Sequence, residues 1–265
     1  MRAILAHAIL SVVLASAAYA EPLPKIAIII DDLGWQLAAA ERAINLPGPV
    51  TCSVLPQTPR GTEIAVKAYD KGKDVLLHLP LQPMSREEPA DLGGITLDMS
   101  RRQFAETFAA DLAAVPHAVG INSHRGSLLT RHPGHMRWLM EEIGAREGLF
   151  FVDSYTTHLS VALSIAEESG IPARRRDVFL DADAVPASVA REFERLKRLA
   201  RKRGTAIGIG HPYPTTLAFL EKALPKLEEE GFQLVGIREL VLGQYVETVV
   251  ETMAVRDGRP ERTGD

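Results

Sequence analysis

The apolar run IAIIIDDLG, residues 26–34, ends in two adjacent carboxylates, Asp31 and Asp32. Neighbouring carboxylates repel, and one is driven towards protonation unless a cation lies beside them. A divalent ion would resolve that conflict, with one aspartate as ligand and the other as base. The plain alternative is a cap on the helix expected to begin near Gln36, with Gly34 making the turn. Adjacent side chains on a regular strand point to opposite faces, so both reach one site only where the strand has frayed. Two histidines bear on the choice. His78 closes DVLLHLP and His124 lies in GINSHRGS, each just beyond a short apolar strand. A lone histidine there is more often a hydrogen-bonded structural residue. Two of them with an aspartate make the three-ligand set of catalytic zinc sites, which keep a fourth position for water. The same donors suit other divalent ions. His211 stands between Gly210 and Pro212 in IGIGHPYPTT, a loop position suited to a general acid and equally to a turn histidine bonded to a carbonyl. Asp153 in FFVDSYTT and Asp181 in VFLDADA could orient a histidine, bind substrate or cap the helices that follow; capping is the expected role of Asp181. His132 and His135 in HPGH read as a helix start, and the chain has neither a G-x-S-x-G elbow nor a P-loop.

Such residues need elements that bring them together. Short apolar runs alternate with helical periodicity along the chain. The predicted strands are 26–30, 50–55, 75–77, 119–121, 150–152, 178–180, 206–209 and 234–235. The predicted helices are 36–44, 62–71, 101–114, 135–147, 159–169, 188–202 and 216–230. This alternation points to parallel βαβ units, and the near-continuous apolar strands to a sheet covered on both faces or closed on itself. Polar residues recur where strands end: Asp31-Asp32, Ser53, His78, Asn122 with His124, Asp153, Asp181 and His211. In a parallel barrel all those ends open on one face. An open doubly wound sheet gathers its site at one switch point, usually behind a Gly-rich first loop, and DDLGWQ has no G-x-G-x-x-G. The expected fold is α/β, a parallel (β/α) barrel of seven to eight strands.

Residues 1–20, MRAILAHAILSVVLASAAYA, combine Arg2, an apolar stretch and the small-x-small site Ala18-Tyr19-Ala20, the pattern of a secretory signal peptide. The apolar stretch is shorter than the ~20 residues of a membrane span. The expected organisation is a signal peptide over 1–20, one barrel domain over 21–250 and a disordered tail over 251–265. The protein is expected to be exported, to the periplasm where the cell has an outer membrane, with no membrane span after cleavage. A formal charge of −4, with basic blocks at Arg174–Arg176 and Arg195–Arg203 that lack interleaved aromatics, gives nucleic-acid binding no support. The single cysteine, Cys52, cannot make an intrachain disulfide, so the fold must rest on its apolar core. Nothing in the sequence identifies a protein partner.

Seven blocks, IAIIIDDLG, VTCSVLPQTP, DVLLHLPLQP, GINSHRGSLLT, FFVDSYTT, FLD and AIGIGHPYPTT, resemble in that order the signatures of the divergent polysaccharide deacetylase family, over Lys25 to Leu242. The resemblance implies a distorted (β/α) barrel related to the NodB-type carbohydrate esterases. It also implies a polysaccharide substrate, a metal-dependent site at the strand ends and, in Gram-negative bacteria, an envelope location. By the same resemblance Asp32, His78 and His124 would ligate a divalent metal, with zinc the expected ion. Asp31 would be the catalytic base and His211 the general acid, while Asn122 and Asp153 would line the pocket. Ser123 and Arg125 depart from the Asn and Met usual in the family; Arg125, beside a ligand, would add affinity for an anionic substrate. The family lacks the H-x-x-x-H pair of better-known deacetylases, so its metal site must be assembled differently.

The expected activity is metal-assisted removal of an N- or O-acetyl group from an envelope or extracellular polysaccharide. Two rivals share the barrel. A glycosidase would use paired carboxylates such as Asp31 and Asp153, ~5–9.5 Å apart, and leave His78 and His124 without a purpose. A non-catalytic glycan-binding or docking module would keep the pocket without turnover.

Overall fold

The apolar sequence KIAIIIDDL forms the first strand, β1 (Lys25–Leu33), buried along almost its whole length. The structure is a computed structural model that describes residues 22–85, 91–243 and 245–246. The signal peptide expected over 1–20 and the tail expected over 251–265 lie outside the described residues. After β1 the chain alternates helix and strand: α1 (Leu37–Ile44), β2 (Thr51–Val54), α2 (Gly61–Asp70), β3 (Val75–Leu81), α3 (Arg101–Ala114) and β4 (Ala118–Arg125). It continues with α4 (Pro133–Gly144), β5 (Phe150–Asp153), α5 (Ala162–Glu168), β6 (Ala173–Arg175), β7 (Val178–Phe179), α6 (Pro186–Arg203), β8 (Thr205–Gly210), α7 (Pro214–Ala223) and β9 (Gln233–Leu234).

Local chemistry sets the helix ends. α3 starts on a capping box in which Ser100 and Gln103 satisfy each other's backbone N–H groups. Proline opens α4, α6 and α7 at a position whose N–H has no helical partner. α6 stops at Gly204, whose left-handed φ of 79° suits the end of a helix. α7 ends at Ala223, before Pro225, so the helix predicted to reach residue 230 is cut short and continues as a 3-10 turn.

Eight parallel strands lie in the order β6-β5-β4-β3-β2-β1-β8-β7 and curl into a half-barrel with interleaved helices; β9 adds to β1. The two edge strands, β6 and β7, are consecutive in the chain, separated only by Arg176 and Asp177. The Arg176 N–H donates to Asp153 O on the β5 side, and the Asp177 N–H donates to Ile207 O on the β8 side. One extended passage therefore leaves one edge and joins the other, so the curl of the sheet brings its two edges towards each other. The short β6 was not predicted: its sequence, Ala-Arg-Arg, has no apolar run.

Strand alternation sorts the core into two layers. Ile26, Ile28, Val75 and Leu77 pack beneath the helices, with Ala40, Ile64 and Phe104 among their neighbours. Ala27, Ile29, Leu76, Val152, Ile207 and Ile209 form the inner layer, closed by Val235, Ile237, Leu240 and Val241 from the C-terminal segment. Each Val, Leu, Ile or Phe among them contributes roughly 1.5–3 kcal/mol on burial, and this packing holds the strand ends in place. No helix of the described residues is long and apolar enough to cross a membrane.

Candidate metal centre

β1 and β2 pair Ile30 with Cys52 and Leu33 with Val54, so Asp31 and Asp32 together oppose the single residue Ser53. That is a bulge, one extra residue on one strand. Asp32 adopts a left-handed φ of 58°, which Asp tolerates better than most L-residues. The expectation that the strand frays at Ile30 is corrected: β1 continues to Leu33, and the bulge is what turns both carboxylates to one site.

β3 and β4 pair with His78 opposite Asn122 and Pro80 opposite His124. His78 follows Leu76 of the inner layer by two residues and so shares its face. Asp32 Oδ1 lies 3.1 Å from His78 Nε2 and 2.9 Å from His124 Nδ1, and the two ring nitrogens are 3.1 Å apart. Despite these close nitrogens, Asp32 Oδ1 is buried without a hydrogen-bond partner. His78 is held from behind, its Nδ1 donating to Asn122 Oδ1 at 2.8 Å, which leaves Nε2 facing the triangle. Asn122 Nδ2 donates to Asp31 Oδ1 at 2.8 Å, and Ser53 Oγ donates to Asn122 Oδ1 at 2.6 Å. Metal-bound histidines are braced in this way. Neighbouring ligands around one ion with bonds of ~2.0–2.2 Å lie ~3 Å apart. The orphaned oxygen and two imidazole nitrogens at that spacing fit a divalent cation, and the N2O donor set suits zinc among others. Among the described residues no other group of three His, Cys, Asp or Glu side chains converges in this way.

Charge is concentrated here. Burial alone would lower the His78 pKa, but the charge of Asp31 and the contact with Asp32 outweigh it and raise it to about 9. Burial would raise that of Asp32, yet His124 and His78 beside it hold the carboxyl well below its usual range. An ion held by His78 Nε2 would have to displace the proton there.

β8 pairs with β1 so that Gly210 faces Ile30, which brings His211 beside the aspartates. Its Nε2 lies 3.7 Å from Asp32 Oδ2, and its Nδ1 donates to Asp181 Oδ1 at 2.9 Å. Asp181 Oδ2 also accepts from the His211 N–H and from Thr216 Oγ1, each at 2.7 Å. The capping role expected of Asp181 is therefore overturned. α6 begins after Val185 with no side-chain cap, and Asp181 instead orients His211. Burial acts to lower the His211 pKa; the Asp181 hydrogen bond, then the charges of Asp31 and Asp32, raise it above the ordinary value.

Two expected pocket residues have other partners. Asp153 is buried, its Oδ1 accepting from the Tyr155 N–H at 2.8 Å and its Oδ2 from Ser160 Oγ at 2.7 Å. Both oxygens brace the loop after β5. Arg125 ends β4 with a left-handed φ of 55°, its Nε 3.4 Å from Asp91 Oδ2. The same Asp91 oxygen lies 3.6 Å from His124 Nε2, the ring nitrogen that does not belong to the triangle. Asp91 carried no sequence signal, since it sits in a loop far from any strand end.

The fold and site together define a class, a curled (β/α) barrel with a candidate metal centre at its mouth. More narrowly, the chain belongs to the divergent polysaccharide deacetylase family, whose pattern it matches over residues 28–241. It is 38% identical over 216 residues to an uncharacterized protein of Haemophilus influenzae, covering 82% of this chain and 76% of that one. It is 34% identical over 203 residues to the uncharacterized protein YibQ of Escherichia coli K12, covering 77% of this chain and 63% of YibQ, so it spans less than two thirds of that relative. Among solved structures it is similar to an uncharacterized protein of Agrobacterium tumefaciens C58, with a TM-score of 0.79 and 24% identity over 83% of this chain and 90% of the other. It also resembles the catalytic domain of the peptidoglycan N-acetylglucosamine deacetylase of Eubacterium rectale, with a TM-score of 0.51 and 14% identity over 82% and 90% of the two chains. At those identities the structural likenesses concern the fold.

Proposed function

We propose that the protein is a metal-dependent hydrolase that removes acetyl groups from a polysaccharide of the cell envelope or extracellular space. The observation that carries this reading is the triangle of Asp32, His78 and His124 with its orphaned oxygen, flanked by Asp31 and His211. A divalent ion held by those three residues, with zinc the first candidate, supplies Lewis acidity at an acyl carbonyl and lowers the pKa of a water. Asp31 receives the proton that the water gives up, its Oδ1 fixed by Asn122 Nδ2. His211, its Nδ1 proton committed to Asp181, presents Nε2 to the site and gives its proton to the departing amine or alcohol oxygen. Acetate and the freed sugar amine or hydroxyl are the products. The signal-peptide pattern of residues 1–20 supports export, to the periplasm in a cell with an outer membrane.

Elemental analysis of the purified protein beside Asp32→Ala, His78→Ala and His124→Ala, with acetate release measured on acetylated glycans, tests the reading. The expected result is one ion per chain, lost in each variant together with turnover. His211→Ala is expected to keep the ion and lose turnover. Unchanged metal content in the three ligand variants would end the hydrolase reading. N-terminal sequencing of the protein from the periplasmic fraction, expected to begin at Glu21, tests export.

A further inference from the structure

Large apolar side chains left in solvent are unevenly placed on this molecule. Of the eleven among the described residues, six (Trp35, Met84, Leu92, Leu159, Val185 and Tyr213) sit on loops that follow strands, around the barrel mouth. Trp35 and Tyr213 follow β1 and β8, which are neighbours in the sheet, and are 56% and 44% exposed. Between them lies a cavity of about 280 Å³ whose wall includes Asp32, Gly34, Gln36 and Pro212. That volume is at the lower edge of the ~300–1,000 Å³ usual for small-molecule sites and suits one ring.

The backbone beside each aromatic is constrained. Gly34, next to Trp35, has a φ of 148°, and a Cβ there would strike the Thr58 side chain. Tyr213 lies between Pro212 and Pro214 at the start of α7, its ring centroid 5.4 Å from that of His211. A backbone constrained in this way loses little freedom when a ligand packs on the side chains it carries. Leaving them in water is unfavourable in proportion to their exposed apolar surface, which a covering ligand removes from water. A pyranose has the matching chemistry, an apolar face of C–H groups for an aromatic ring and hydroxyl edges for Asp32 and Gln36.

We propose that the Trp35–Tyr213 cleft is a subsite for one pyranose ring of the polysaccharide, next to the ring that carries the scissile acetyl group. The adjacency, but not the binding, rests on the hydrolase reading above. The subsite makes the protein favour oligosaccharides over single sugars.

The test uses the mature protein, with calorimetric titration of N-acetylglucosamine, its β-1,4-linked tetramer and acetylated xylotetraose. The wild type is expected to bind at least one tetramer more tightly than the monosaccharide. Trp35→Ala and Tyr213→Ala should each weaken tetramer binding about tenfold, the scale of one lost aromatic stack, while Trp35→Phe keeps part of the affinity. Tetramer affinity in Trp35→Ala equal to that of the wild type, or no saccharide bound by the wild type at millimolar concentration, overturns the proposal. Wild-type hydrolysis of 4-nitrophenyl acetate, which contains no sugar, separates the two readings. Saccharide binding through Trp35 without acyl hydrolysis sinks the hydrolase reading and leaves the subsite standing. Acyl hydrolysis with an indifferent Trp35 does the reverse.

Discussion

Asn122 links the two halves of the candidate site through one side-chain amide. Its oxygen accepts from His78 Nδ1 and its nitrogen donates to Asp31 Oδ1, so it sets the tautomer of a proposed ligand and the orientation of the proposed base together. Asn122→Ala leaves both partners free to turn. Metal affinity is expected to fall ~10–100-fold, the usual effect of losing a partner behind a ligand, as measured by competition with a chelator; an unchanged affinity would show that His78 needs no such brace. Asp181 does the corresponding work for His211. It raises the His211 pKa by hydrogen bond and by charge, after burial has acted in the other direction. A general acid must still hold its proton, so activity falls as pH rises through that pKa. Asp181→Asn removes the charge, and the alkaline limb of the kcat profile is expected to move to lower pH. A limb that stays in place would remove His211 from the acid role.

At the scale of elements, the strand ends were legible in the sequence because an apolar run that stops at a polar residue marks where a buried strand meets solvent. His78, His124 and His211 were found that way, and the register of β3 on β4 and of β8 on β1 then brings them together. Bulges leave no such mark: Asp31-Asp32 reads the same whether the strand frays or takes an extra residue, and only pairing against Ser53 distinguishes them. Asp181 was misread because an aspartate before a helix has the same sequence signature whether it caps that helix or faces a distant histidine. The β6–β7 passage was hidden for a different reason. Its arginines suggest a solvated block, yet Arg176 is half-buried, donating through Nε to Ser154 O at 2.6 Å and through Nη2 to Tyr155 O at 2.9 Å. Arg176→Met keeps the stem and loses both bonds, at an expected cost of about 2–3 kcal/mol in urea unfolding, since hydrogen bonds to charged groups contribute ~1.5–3 kcal/mol. A cost below about 0.5 kcal/mol would mean the passage closes without it. On α3, burial pushes the Asp111 carboxyl up to about 7, the Gln57 hydrogen bond opposing it only in part. A raised folded-state pKa makes stability fall as pH rises from 3.8 towards about 7. Asp111→Asn should therefore raise the melting temperature above pH 7 and leave it nearly unchanged near pH 4, and a gain that is the same at both would refute the buried charge.

For the whole molecule, the candidate ligands come from β1, β3 and β4, so the triangle exists only when the sheet is assembled. An ion that binds the folded chain alone stabilises it by RT ln(1 + [M]/Kd), about 2.7 kcal/mol at a hundred times Kd. The chain has one cysteine and no disulfide to add to this, so chelation should lower its melting temperature measurably. The pH dependence of that shift is the sharper observation. Without an ion, His78 has a folded pKa of about 9 against an ordinary 6.5, so its contribution is complete below pH 6.5 and lost as pH rises to about 9. With an ion on Nε2 the ring would be neutral, so stability would rise with pH only until the unfolded histidine loses its proton near pH 6.5 and stay level above it. From pH 6.5 to about 9 the chelated protein loses stability while the loaded protein holds level. The difference in melting temperature between zinc-loaded and chelated protein should therefore widen from pH 6.5 to about 9, and the widening should vanish in His78→Ala. A difference that stays constant with pH would remove His78 from the coordination shell, and with it the link between the folded barrel and its proposed chemistry.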